Sequence, residues 1–124
     1  MQKRGWPSEE RRKFARLETS VDVSYTIIGK PGGIDVFSKN ISAGGLCLVL
    51  DQVFPADTPL QLLIKVPDLK DPIHALGRVV WQRKIKDGAE EKYDTGVEFT
   101  GISDFDRFNL NRYVSEHIDH NNKP

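Results

Sequence analysis

Val21-Asp22-Val23-Ser24-Tyr25-Thr26-Ile27 is the stretch on which the reading of the chain turns. Apolar Val21, Val23, Tyr25 and Ile27 alternate with Asp22, Ser24 and Thr26, and a period of two puts the first set on one face of a β-strand and the second on the other. A strand with one apolar face needs other strands to cover it. Towards the C-terminus, the turn cluster Lys30-Pro31-Gly32-Gly33 leads into Ile34 to Lys39 as the returning strand of a hairpin. Asn40 to Gly45 then breaks the pattern, and Leu46 to Leu50 resumes it. Beyond the loop from Pro55 to Pro59, Leu60, Leu62, Ile64 and Val66 alternate with Gln61 and Lys65. Ile73, Ala75, Gly77, Val79 and Trp81 share a face opposite His74, Arg78 and Gln82, and Val97 with Phe99 marks a last strand past a charged connection from Lys84 to Lys92. Six short strands with no helices between them predict an antiparallel sandwich or barrel.

The two ends read differently. Ser103-Asp104-Phe105-Asp106 has the spacing of a capping box, and Leu110, Tyr113, Val114, His117 and Ile118 recur at helical spacing, so one amphipathic helix over about 103 to 118 closes the domain. Asp119 to Pro124 is polar and is expected to fray. At the other end, residues 1 to 11 offer little apolar material beyond Trp6, and Pro7-Ser8-Glu9-Glu10 resembles a helix start. This segment is expected to be a mobile basic arm.

The 124 residues, 38% of them apolar and 29% charged, suit one soluble domain. Formal net charge is zero, which removes the broad attraction that drives binding to long nucleic acids. Charge is instead local: Lys3, Arg4, Arg11, Arg12, Lys13 and Arg16 face only Glu9 and Glu10 in the first 16 residues. No apolar signal region follows them, no run is apolar enough to insert in a membrane, and Cys47 is the single cysteine, a pattern that fits a reducing cytoplasm. Asn40-Ile41-Ser42 matches the glycosylation sequon, a reading disfavoured without an export signal. His74, His117 and His120 lack the spacing of metal or nucleophile sites, and Cys47 lies in the apolar run Gly45 to Leu50, where a small buried thiol is the usual role. Nothing here resembles catalytic machinery, and neither a cofactor nor a metal is expected.

Two features carry the chemistry. Arg12-Lys13-Phe14-Ala15-Arg16 sets two guanidinium groups four apart on one face, able to hold a flat anionic ligand through phosphate forks, guanine O6 and N7, or stacking. Asn40-x-Ser42-x-x-Gly45 sits at the break between strands, where Asn and Ser bond either a ligand or their own turn, and Gly44-Gly45 permits positive φ or a close approach to the backbone. Each alone is weak: R-x-x-x-R occurs by chance in many chains, and an Asx turn explains the second.

Together, and in this order on this strand pattern, they resemble the PilZ family over residues 11 to 118. The match rests on Arg12 to Arg16, Asn40 to Gly45, the Gly-Arg-Val-Val-Trp segment at Gly77 to Trp81, Gly96-Val97-Glu98-Phe99 and the terminal helix. The resemblance implies an all-β fold with a C-terminal helix: a six-stranded antiparallel β-barrel of the PilZ, split-barrel kind over residues 12 to 118, preceded by the arm. It implies a ligand, cyclic di-GMP, and an unidentified downstream protein that reads the bound state. On this reading Arg12 and Arg16 fold over the ligand, while Asn40, Ser42 and Gly45 support a guanine from the barrel surface. Arg11 extends the motif and resembles members in which an extra arginine adds a phosphate or stacking contact. Trp81 either offers its ring to a guanine or, by its parity with Ile73 and Val79, caps the core. Asn40 stands where Asp is more frequent, giving up a charged acceptor. Two other functions compete: a PilZ-like adaptor that binds protein and no nucleotide, and a single-stranded nucleic acid binder with an OB-like barrel, which neutral charge and few exposed strand aromatics disfavour.

Overall fold

The computed structural model describes residues 15–121. Among the described residues, seven strands precede one helix: β1 (Arg16–Leu17), β2 (Asp22–Ile27), β3 (Ile34–Ser42), β4 (Gly45–Leu50), β5 (Pro59–Lys65), β6 (Ile73–Asp87), β7 (Glu90–Ile102) and α1 (Asp104–Asn121). Neighbours run β1-β3-β2-β5-β6-β7-β4, and β4 also pairs with β3. That last pairing closes β2 to β7 into the expected six-stranded antiparallel barrel. Two-residue β1 is additional, lying beside the far end of β3.

Alternation fills the interior as the sequence predicts. Val23 and Tyr25, Leu60, Leu62 and Ile64, Ile73, Ala75 and Val79, and Val97 with Phe99 all turn inwards. Burying each large aliphatic side chain contributes about 1.5–3 kcal/mol. Helix α1 packs against β1, β3 and β6 and adds Leu110, Tyr113 and Val114 to the same core. Ser103 caps it, accepting the Asp106 backbone N–H on Oγ at 3.0 Å. The short Asp106 side chain bonds across to β6 instead, accepting the His74 backbone N–H at 3.4 Å.

Three expectations are corrected. Lys84 to Lys92 is no loop: β6 and β7 continue through it as a hairpin that turns only at Gly88 and Ala89. Its strands are solvated there, so apolar alternation is absent, and opposite charges such as Lys84 and Glu91, 3.0 Å apart, link them. Asn40 and Ser42 lie on β3, because the strand runs on to Ser42 and only Ala43 and Gly44 turn. The helix extends to Asn121, so the polar residues from 119 do not end it.

Bulges interrupt the ladders at three places. Ser38 pairs with Leu48 and Asn40 with Cys47, leaving Lys39 as the extra residue on β3. Val79 pairs with Val97 and Trp81 with Gly96, which leaves Val80 extra on β6, and Thr100 is extra on β7 between the partners of Leu76 and Gly77.

Candidate functional site

Residues directly opposite in an antiparallel pair share a face. One row across β3, β4, β7 and β6 therefore holds Ile41, Leu46, Val97 and Val79, none more than 1% exposed, and it is inside the barrel. The rows on either side face out. The first reads Ser42, Gly45, Glu98, Arg78, and the second reads Asn40, Cys47, Gly96, Trp81. Three strand gaps separate the ends of each row, about 14 Å at the usual spacing. At the middle of this wall lie Gly45, Cys47 and Gly96, a floor of small residues.

Strand β1 brings Arg16, the last residue of the arginine motif, to this floor. Its Leu17 pairs with Ile41 and is buried with it, so the preceding Arg16, opposite Ser42, is turned to the outer face. Buried Ser38 fixes the chain between β1 and β2: Val21 N–H donates to Ser38 Oγ at 3.0 Å, that hydroxyl donates to Thr19 C=O at 3.1 Å, and Ser38 N–H donates to Val21 C=O at 3.0 Å. Arg16 is thus placed by its neighbours in sequence and by β3, whose Ser42 lies 26 residues further on.

The expected residues Arg16, Asn40, Ser42, Gly45 and Trp81 all lie on this wall, whereas Arg11 and Arg12 lie outside the described residues. Ser42 serves its own turn, accepting the Gly44 N–H at 3.1 Å and donating to Gly45 C=O at 3.3 Å. The left-handed backbone is used at Gly29, Gly32 and Gly88. Gly45 contributes instead by having no side chain on the floor. Trp81 is not the core residue that its parity with Val79 suggests, because the bulge at Val80 turns it outwards. It is half-buried and its indole lies on Gly96, where a Cβ would stand 2.2 Å from Nε1. That Nε1 is buried with no hydrogen-bond partner among the described residues.

Sequence reasoning missed the role of Gly96, although a lone glycine inside a strand is itself a sign of close approach by another group. It also missed the charges that frame the floor. Arg78 is held by Glu98, at 2.7 Å, and by Asp57. Asp94, 1% exposed, accepts from Lys39 Nζ at 2.9 Å and Arg83 Nη2 at 3.0 Å. The Cys47 thiol is pushed up to about 11, chiefly by burial and then by Asp94, so it stays protonated and a poor nucleophile at neutral pH. Among the described residues, no group of three metal-ligating side chains assembles. His117 instead meets Asp68 at 3.2 Å, linking α1 to the loop after β5.

The PilZ domain family model matches residues 10–116. This chain belongs to the PilZ family. Solved structures agree on the fold. The Bacillus subtilis inhibitor of motility MotI/DgrA is 26% identical with a TM-score of 0.75, the alignment covering 95% of this chain and 58% of that one. The PilZ domain of Escherichia coli YcgR, solved with c-di-GMP, is 14% identical at a TM-score of 0.64, covering 90% and 96%. Borreliella burgdorferi PlzA, in complex with c-di-GMP, is 12% identical at 0.60, covering 94% and 57%. The chain therefore spans somewhat over half the length of MotI/DgrA and of PlzA. Comparison with curated proteins gives no match. Among the described residues, no helix is long and apolar enough to cross a membrane.

Proposed function

We propose that this PilZ domain is a cytoplasmic receptor for cyclic di-GMP, which lies on the outer wall of β3, β4, β7 and β6. The register of β1 on β3 carries this reading, since it sets Arg16 opposite Ser42 and on the face of Asn40, uniting two motifs far apart in sequence. Structures of YcgR and PlzA with c-di-GMP support the choice of ligand. In this reading Arg16 meets a phosphate or the O6 and N7 edge of a guanine, and Asn40 and Gly45 support a guanine against the floor. The Trp81 ring offers a stacking surface at the far end of the row. Arg12, with Arg11 beside it, closes over the bound ligand, and the composite surface of arm and barrel is what a downstream protein reads. No catalytic step, metal or cofactor is invoked.

Calorimetric titration tests this. Cyclic di-GMP should bind, with GTP, GMP and cyclic di-AMP far weaker, because adenine carries an amino donor where guanine carries O6. Comparable affinity for cyclic di-AMP, or no heat with cyclic di-GMP, overturns it. Amide exchange tests the closure: peptides from residues 1 to 18 and 38 to 46 should gain protection with ligand, and an unchanged arm refutes that step alone.

A further inference from the structure

Of the cations on the outer wall, Arg78 is matched by two carboxylates, Glu98 and Asp57. Lys39 and Arg83 share one, Asp94, so the trio keeps a net positive charge. Both bond the same oxygen, Oδ2, at 2.9 and 3.0 Å, close enough together for the oxygens of one phosphate to span them. Their side chains remain 48% and 69% exposed while Asp94 is 1% exposed, so a buried anion holds two cations at the surface. Each reaches this place through a bulge. Lys39 is the extra residue of β3, and without extra Val80 the parity of β6 would turn Arg83 inwards along with Trp81. Lys39 and Asp94 also lie near enough to Cys47 on the floor to shift its thiol in opposite directions.

We infer that Lys39 and Arg83 form a phosphate subsite at the edge of the floor opposite Arg16, with Asp94 as its positioning residue. It rests on the cyclic di-GMP reading and adds to it. A ring with two phosphates on opposite sides meets Arg16 with one and this pair with the other. Asp94 spends one oxygen aligning both cations, and its Oδ1, buried with no partner among the described residues, leaves that alignment as the role assigned to it. Lysine supplies three N–H donors and arginine five, so each retains donors for the ligand after bonding Asp94.

The experiment is calorimetric titration of the full chain with cyclic di-GMP, comparing Arg16→Ala, Lys39→Gln, Arg83→Gln, Lys39→Arg and Asp94→Asn. Each Gln variant leaves one cation on Asp94 and so preserves folding, checked by its urea midpoint. Lys39→Gln and Arg83→Gln should each weaken binding about tenfold or more, as expected for a lost charge-assisted bond, and their affinity should depend less on sodium chloride than the parent's. Lys39→Arg should restore binding to near the parent's level. Asp94→Asn gives a test of sign: deleting a negative charge would by Coulomb attraction alone tighten an anion, whereas a positioning residue requires binding to weaken. Tighter binding by Asp94→Asn overturns the positioning role. If Arg16→Ala loses affinity but both Gln variants bind like the parent, the subsite is wrong and the receptor reading stands. If the parent binds no cyclic di-GMP, both fall together.

Discussion

Between β2 and β5 six consecutive residues pair without a slip, and six more pair between β5 and β6, whereas the ladders beside the candidate site slip at Lys39 and at Val80. The outer rows of the regular half, Ser24-Leu63-His74 and Thr26-Gln61-Leu76, carry ordinary side chains standing off the sheet. The corresponding rows of the irregular half carry Gly45, Cys47 and Gly96 between polar Ser42 and Asn40 at one end and Arg78 and Trp81 at the other. Regular pairing suffices to close a barrel and fill it. The bulges change which way residues point without disturbing the inner row, so that one wall gathers small residues between larger polar and aromatic ones while the core keeps its apolar lining.

The widest expected gap between the halves is in binding. Arg16→Ala should cost about 2–5 kcal/mol of cyclic di-GMP affinity, the range for truncating one member of a desolvated charged pair. Thr26→Ala or Gln61→Ala, on the regular half, should change it by less than about twofold. Equal losses on both halves, measured by titration, would remove the distinction. Next in size is a pair of glycines on one strand. Gly96→Ala places a Cβ 2.2 Å from the Trp81 indole and should cost about 1–3 kcal/mol of stability in urea, with a shift in Trp81 emission in a Trp6→Phe background. Gly101→Ala meets the Leu76 side chain at ordinary contact distance, 3.4 Å or more, and should be nearly neutral.

Two smaller effects sharpen the picture of the floor. Asn40→Asp should tighten cyclic di-GMP by about 1 kcal/mol near neutral pH, the gain from making a hydrogen bond charge-assisted. A large loss would show Asn40 to act as a donor. Cys47 should react with iodoacetamide at pH 8 about a hundredfold more slowly in the folded protein than in urea. Folding raises its thiol from the ordinary 9.0 to about 11. Its neutral form thus contributes to stability fully below 9.0, and that contribution fades as pH rises through about 11. Mass spectrometry of alkylated protein across that range checks both statements.

How much was legible follows the same division. Val21 to Ile27 and Leu60 to Val66 alternate cleanly because one face is dry and the other wet, and the structure keeps every inward residue where parity put it. Trp81 defeats parity, since nothing in Val79-Val80-Trp81 announces that Val80 will be skipped. The tip of the β6–β7 hairpin reads as a loop because neither face is buried, so the only periodic signal a strand emits is missing. Strand β1 has two residues and exists through Leu17, Ile41 and Ser38, a tertiary arrangement with no local signature. The motif residues Arg16, Asn40, Ser42 and Gly45 were legible as types at a spacing. Their common face was not, because it depends on register between strands distant in sequence. Asp94, Lys39 and Arg83 were invisible for that reason, being scattered across three strands until the bulges align them.

Leu17 and Arg16 are adjacent in sequence yet belong to different tasks, one plugged into the core beneath α1 and the other laid on the outer wall. This leaves little freedom for trimming the chain. A shortened protein starting after Leu17 would lose a structural anchor and a ligand contact in a single cut, so failure to bind could not be separated from failure to fold. Starting at residue 15 keeps both and discards Arg11 and Arg12. Such a fragment would isolate what the barrel-bound arginine achieves without the preceding segment. Over evolutionary time the same adjacency would make this short stretch hard to shuffle, because an insertion or deletion of one residue there swaps the plug for the contact.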